Sequence, residues 1–144
     1  MTVQVEKLGD IDDEVVTAFG RLLPQLSRSA APLTISDITA LNASPAITLL
    51  VARCEGTIAG MLTLVMFPLP TGLRARIEDV VVDEQFRGRG AGEELSREAV
   101  RIAREAGARN VDLTSRPSRA AAGRLYERIG FHQRESRVYR FDFG

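Results

Sequence analysis

Three places in the sequence hold residues whose types and spacing could do chemistry. The first reads Arg87-Gly88-Arg89-Gly90-Ala91-Gly92, directly after the apolar run Val80-Val81-Val82 and directly before a helical stretch. Glycines let the backbone take unusual dihedrals and let a ligand approach where a Cβ would stand. The amides of the first helical turn then point outward together and, with the helix dipole, make a site for a pyrophosphate. Arg87 and Arg89 add positive charge at the rim. The same glycines would equally serve a tight turn that binds nothing. A P-loop is excluded, because Gly92 is followed by Glu93 and not by Lys and Ser or Thr. A dinucleotide fingerprint would need its third glycine where Glu93 stands.

The second place is the acidic pair Glu78-Asp79 within an apolar strand. Burying a carboxylate is costly unless it is wet, paired or functional. One of the two could take a proton from a reacting group, and either could form an ion pair. Successive strand residues face opposite sides, so only one can look into a given cleft. The third place is Tyr126. A phenol with a pKa near 10 stays protonated at neutral pH and can donate its proton. Its spacing from Ala122 and Ile129 also suits an ordinary aromatic on a buried stripe. His132 reads as a surface residue near a strand end, and Cys54 has no evident partner to activate it. No cluster has metal-ligand spacing, so no metal is expected.

The elements that must position these residues follow from periodicity. Val3, Val5 and Leu8 predict an opening strand, and Asp10 precedes a helix carrying Ile11, Val15, Ala18, Phe19, Leu22 and Leu23, with Pro24 at its end. A loop over 27–32 leads to a second helix over 36–42. Residues 47–52 and 58–67 predict an antiparallel hairpin about Glu55-Gly56-Thr57. Pro68, Pro70 and Gly72 predict the next turn, and residues 74–82 the third strand of the meander. A helix then runs from the Gly-rich turn to Ala106, with Glu93, Arg97, Arg101 and Glu105 able to pair one turn apart and Gly107 closing it. Residues 110–114 predict a short strand, Ser118 caps a helix stopped by Gly130, and alternating strands follow through Phe131 and over 138–141.

The whole is one mixed α/β domain over residues 1–144, with a mostly antiparallel sheet and about four helices. Nineteen basic and nineteen acidic residues give zero net charge, against a general nucleic-acid binder. The single cysteine excludes an internal disulfide, and no run approaches the roughly 20 apolar residues of a membrane helix. The charged N-terminus does not suit a signal peptide, and a cytoplasmic location is expected.

Arg87-Gly88-Arg89-Gly90-Ala91-Gly92 resembles the signature of the GNAT superfamily of acetyltransferases, and Leu125-Tyr126-Glu127-Arg128-Ile129-Gly130-Phe131 resembles its second landmark. Their order and spacing, with the meander before them, carry the resemblance over about residues 46–141. Ile77-Glu78-Asp79-Val80-Val81-Val82 looks most like the glucosamine-phosphate N-acetyltransferase branch.

The resemblance implies a splayed sheet and direct attack of a neutral amine on the thioester of acetyl-coenzyme A in a ternary complex. The amides of Gly88, Gly90, Ala91 and Gly92 would hold the pyrophosphate, and the backbone of Val80 and Val82 would hold the pantetheine arm. The amide of Val81 or Val82 would face the developing oxyanion. Glu78 is the favoured base, acting through a water, with Asp79 the other candidate. Tyr126 would protonate the leaving thiolate. Many family members carry an asparagine where this chain has Ser115-Arg116-Pro117-Ser118-Arg119-Ala120; Arg119 would replace it on a cofactor phosphate, or Arg116 or Arg124 instead. The acceptor, a small-molecule or peptide amine, would meet the loop at 26–32, the turn at 68–72 and the C-terminal strands, with Arg28, Arg74 and Arg76 suited to an anionic one. A non-catalytic module that only holds acetyl-coenzyme A is the alternative. Exposed edge strands at the C-terminus would allow a homodimer.

Overall fold

The computed structural model describes residues 2–115 and 120–144. The chain packs as two compact units, Met1–Thr114 and Ser115–Gly144.

In the first unit five strands lie in sequence order: β1 (Val3–Lys7), β2 (Ile47–Cys54), β3 (Thr57–Leu69), β4 (Gly72–Val82) and β5 (Val111–Asp112). The first four pair antiparallel, and β5 joins β4 in parallel. Period-two alternation decides which residues go to which face. Leu49 and Val51 join a core with Val15, Ala18, Phe19 and Leu22 of α1 (Asp13–Leu26) and Ile38 of α2 (Ile35–Ala43). The opposite face takes Leu95, Ala99 and Ala103, all fully buried, from α3 (Ala91–Glu105). The mixed architecture with a mostly antiparallel sheet is the expected one.

Several boundaries differ from the sequence expectation for local reasons. Asp12, not Asp10, caps α1 by accepting the Val15 N–H at 3.1 Å. Thr34 and Asp37 form a reciprocal capping box that starts α2. The turn after β3 needs only Pro70 and Thr71. Pro68 stays in the ladder opposite Leu73, and Gly72 already pairs with Leu69. Behind α3, Gly107 at φ +88° lets the Ala108 N–H reach back to the Ala103 carbonyl at 3.0 Å.

Gly60 of β3 has a packing role that its sequence context hides. A Cβ there would meet the Val81 carbonyl oxygen at 3.0 Å and Leu95 Cδ1 at 3.3 Å. The missing side chain lets α3 seat closely over the end of β4.

The second unit contains α4 (Ala120–Ile129), closed by Gly130 at φ +125° with the Phe131 N–H on the Tyr126 carbonyl at 2.9 Å. Ser118, expected as its cap, lies outside the described residues. The strands expected through Phe131 and over 138–141 are not formed. Alternation gives a segment two faces but supplies no ladder, and Val138, Tyr139, Phe141 and Phe143 all stay exposed, Phe143 at 94%.

Candidate functional site

The second half of β4 is built differently from the first. Thr63 pairs with Glu78 but Met61 pairs with Val81, so two steps on β3 match three on β4. The extra residue makes a β-bulge. Asp79 lies in it at φ +50°, an αL conformation that costs a non-glycine residue energy and that Asp tolerates better than most. On its other edge β4 pairs with β5 only at Ala75 and Arg76. From Ile77 onward that edge of β4 has no strand partner among the described residues.

Arg76 marks the fork. Its Nε donates to Glu78 Oε2 at 2.6 Å, and its second guanidinium nitrogen donates to Thr114 Oγ1, just past β5, at 2.8 Å. Glu78 is therefore held in an ion pair. Asp79 has no such partner among the described residues. Although Asp79 is exposed, partial desolvation by its surroundings first, and the neighbouring Glu78 charge second, push its carboxyl above the ordinary carboxylate value. The two adjacent acids, both exposed, thus differ in their surroundings: Glu78 is engaged by Arg76, and Asp79 sits in the bulge. Val80 and Val82 are half-buried, and Val81 is buried in the core.

The Gly-rich turn begins after a single 3-10 turn, Glu84–Phe86. Gly88 and Gly90 take φ +82° and +85°, and a Cβ on either would meet nothing within 4 Å. Conformation, not crowding, requires glycine there. Gly90 is also the N-cap of α3 and has no side chain to cap it, so no cap side chain takes the amides of Ala91 and Gly92. Most helices spend these amides on a Ser, Thr, Asp or Asn side chain. Here they are available to an anion. Glu93, which would repel one, is drawn back along the helix by Arg97 at 3.0 Å. Arg87 folds toward the Val82 carbonyl at 3.4 Å, and the Arg89 guanidinium lies 5.2 Å from the centre of the Phe86 ring. Both guanidinium groups thus stay beside the turn.

Asp83, between β4 and this turn, is buried and was not singled out from the sequence. Burial opposes its ionisation. The Gln85 amide, the Arg21 guanidinium and the Gln25 side chain outweigh that, and hold its carboxyl below the usual carboxylate range. No local pattern could have announced this, because Arg21 is 62 residues away.

Tyr126 lies on α4 in the second unit, half-buried, with its ring edge against Phe131 at 5.7 Å between centroids. Ser118 and Arg119 lie outside the described residues. Arg74 donates to Thr71 at 3.2 Å and Arg76 is engaged at the fork, while Arg28 is exposed. A cavity of about 330 Å³ opens beside α1, lined by Asp13, Glu14, Thr17, Arg21, Thr57 and Ile58 among others, away from the acidic pair and the Gly-rich turn. No helix among the described residues is long and apolar enough to cross a membrane.

Residues 13–131 match the acetyltransferase (GNAT) family. The chain belongs to that family. A candidate acetyltransferase of Agrobacterium tumefaciens str. C58 superposes with a TM-score of 0.84 at 27% identity, covering 96% of this chain and 99% of that one. An uncharacterized N-acetyltransferase of Methanocaldococcus jannaschii is 38% identical over 61 residues, 42% of this chain. The matched segment spans 27% of the length of that curated relative. The glucosamine-6-phosphate N-acetyltransferase of Arabidopsis thaliana shares a TM-score of 0.78 at 20% identity, over 98% of this chain and 99% of that one. At that identity the likeness is one of GNAT fold and does not single out the glucosamine-phosphate branch.

Proposed function

We propose that the protein is an acetyl-coenzyme A-dependent N-acetyltransferase, a single GNAT domain that moves acetyl to a primary amine in a ternary complex. The observation that carries this reading is the uncapped, glycine-opened start of α3 beside an edge of β4 that has no strand partner among the described residues. An anion can be held at the first, and an extended amide-bearing chain can be held along the second.

The residues divide the work. The amides of Gly88 to Gly92 take the pyrophosphate, with Arg87 and Arg89 as counter-charges. The backbone of Val80 and Val82 takes the pantetheine amides in the manner of an added strand. When bound, acetyl-coenzyme A supplies an activated thioester. The amine nitrogen attacks its carbonyl carbon, and the amide of Val81 or Val82 faces the oxygen where negative charge develops. The amine's proton passes to Asp79, directly or through a water. The C–S bond breaks, and the sulfur takes a proton from the Tyr126 hydroxyl. Asp79 suits the base because its raised pKa brings it closer to neutrality, where a base both accepts and releases protons. Glu78, held by Arg76, shapes the site beside it. Ser118 and Arg119 remain candidates for the cofactor side of α4.

The test is calorimetry with coenzyme A, followed by thiol release from acetyl-coenzyme A against amino sugars, polyamines, amino acids and peptides. Binding together with acceptor-dependent thiol release is expected. Absence of any coenzyme A binding would end the proposal, and binding without transfer to any amine would favour a non-catalytic acetyl-coenzyme A module.

A further inference from the structure

Gln25 stands in the last full turn of α1, one residue after Pro24, and its side-chain amide is used from both ends. Oε1 accepts the Glu84 N–H at 3.0 Å. Nε2 donates to Asp83 Oδ1 at 3.4 Å and to the Arg21 carbonyl at 3.2 Å. The reverse orientation would set the amide oxygen against a carboxylate, so the network fixes which way the group points. One turn earlier Arg21 donates through Nε to Asp83 Oδ2 at 2.8 Å and through a second nitrogen to the Ile58 carbonyl at 2.5 Å. Asp83 Oδ1 also accepts the Gln85 N–H at 3.2 Å. Residues 83–85, which lead into the Gly-rich turn, are thus gripped by the end of α1.

The other side of that grip is an exposed loop. Pro24 has no N–H to give the Gly20 carbonyl, so α1 is weakly held by its own backbone where Gln25 attaches. Directly after it, residues 27–34 run to the start of α2, and all but Leu33 are exposed. A ligand fixed at residues 88–92 would restrain 83–87, and the Gln25 hydrogen bonds would carry that restraint to the root of this loop. Coupling carried by a short chain of hydrogen-bonded groups is a local form of allostery and acts equally in both directions.

We infer that Gln25, together with Arg21 and Asp83, is a positioning device that couples the Gly-rich turn to the loop at 27–34, so that coenzyme A at the first orders the second. This rests on the reading of the turn as a coenzyme A site. It deepens that reading, because the loop it orders is the one expected to meet the acceptor.

The experiment is amide hydrogen exchange on the full chain with and without saturating coenzyme A, for wild type and Gln25→Met, with coenzyme A affinity measured on both. Methionine keeps the length and helix preference of glutamine but makes none of its strong hydrogen bonds. In the wild type, exchange should slow about fivefold or more in both 27–34 and 88–92, in the range of typical couplings. In the variant, 88–92 should still slow while 27–34 does not. A loop that ignores coenzyme A in the wild type, or responds equally in the variant, overturns the coupling and leaves the coenzyme A site intact. Wild-type protein that shows no binding and no slowing at 88–92 fails the coenzyme A reading itself. Should Gln25→Met not fold, Gln25→Asn, one methylene too short to span, is read by the same measure.

Discussion

Glu78 and Asp79 adjoin in sequence but differ in surroundings: Arg76 pairs with Glu78 at 2.6 Å, whereas Asp79 occupies the bulge of β4 at φ +50° with no ion-pair partner among the described residues. A bulge re-aims one side chain and leaves its neighbour in register. The β3 pairing resumes beyond it at Val81 and Val82, whereas β5 pairs with β4 only at Ala75 and Arg76, so the carboxylate is set out on a stretch of β4 whose other edge has no strand partner among the described residues.

From this relationship Asp79→Asn should lower kcat by about 10²–10⁴-fold, the usual weight of a general base. Glu78→Gln should cost less. The wild type's acid limb in kcat/KM should lie above the ordinary 3.8 of an aspartate, and the asparagine variant should lose it. Stability should move the other way. With its folded pKa raised, Asp79 binds its proton more readily folded than unfolded, so its charge penalises the fold above that pKa and not below 3.8. Asp79→Asn should therefore raise Tm near neutrality, and the gain should vanish as pH falls below 3.8. A variant with full activity and an unchanged acid limb would remove Asp79 as the base.

Asp83 has the opposite sign. Its folded pKa is depressed, so its contribution is complete above the unfolded value of 3.8 and is lost as pH falls through the lower folded value. Asp83→Asn should destabilise by about 2–3 kcal/mol near neutrality, the scale of hydrogen bonds to a charged group. Denaturant midpoints should show the gap to wild type closing below pH 3.8.

What the sequence could and could not show follows from range. The Gly-rich turn was legible because strand, glycines and helix are contiguous, and the one-turn charge spacing of α3 foretold the Glu93–Arg97 and Arg101–Glu105 pairs. The bulge at Asp79 was not legible, since it depends on how β3 and β4 register. Neither was Gly60, whose neighbours Val81 and Leu95 come from other elements. The alternation near Val138 promised strands, yet pairing needs a partner that alternation does not specify.

Glycine at 90 is required by conformation, and that can be separated from its ligand role. Gly90→Ala and Gly56→Ala each place an alanine at φ above +80° with open space around the new Cβ. Each should cost about 1–2 kcal/mol of stability. Only Gly90→Ala should weaken coenzyme A binding in calorimetry, because Gly56 lies in the β2–β3 turn. Equal affinity in both variants would detach the turn from the cofactor.

Tyr126 gives the last test. Its ring packs on Phe131, so truncation to alanine would disturb α4 as well as any chemistry. Tyr126→Phe keeps the ring and removes only the hydroxyl. A proton donor to the departing sulfur acts when the C–S bond breaks, and its loss should therefore fall on kcat while coenzyme A affinity changes little. A drop of about 10²-fold or more is expected if the proton transfer accompanies bond breaking. A thioester with a more acidic leaving thiol needs that proton less, so the defect should shrink with it. A loss that is the same for both thioesters would make the hydroxyl a structural contact, and an unchanged rate would remove it from the reaction.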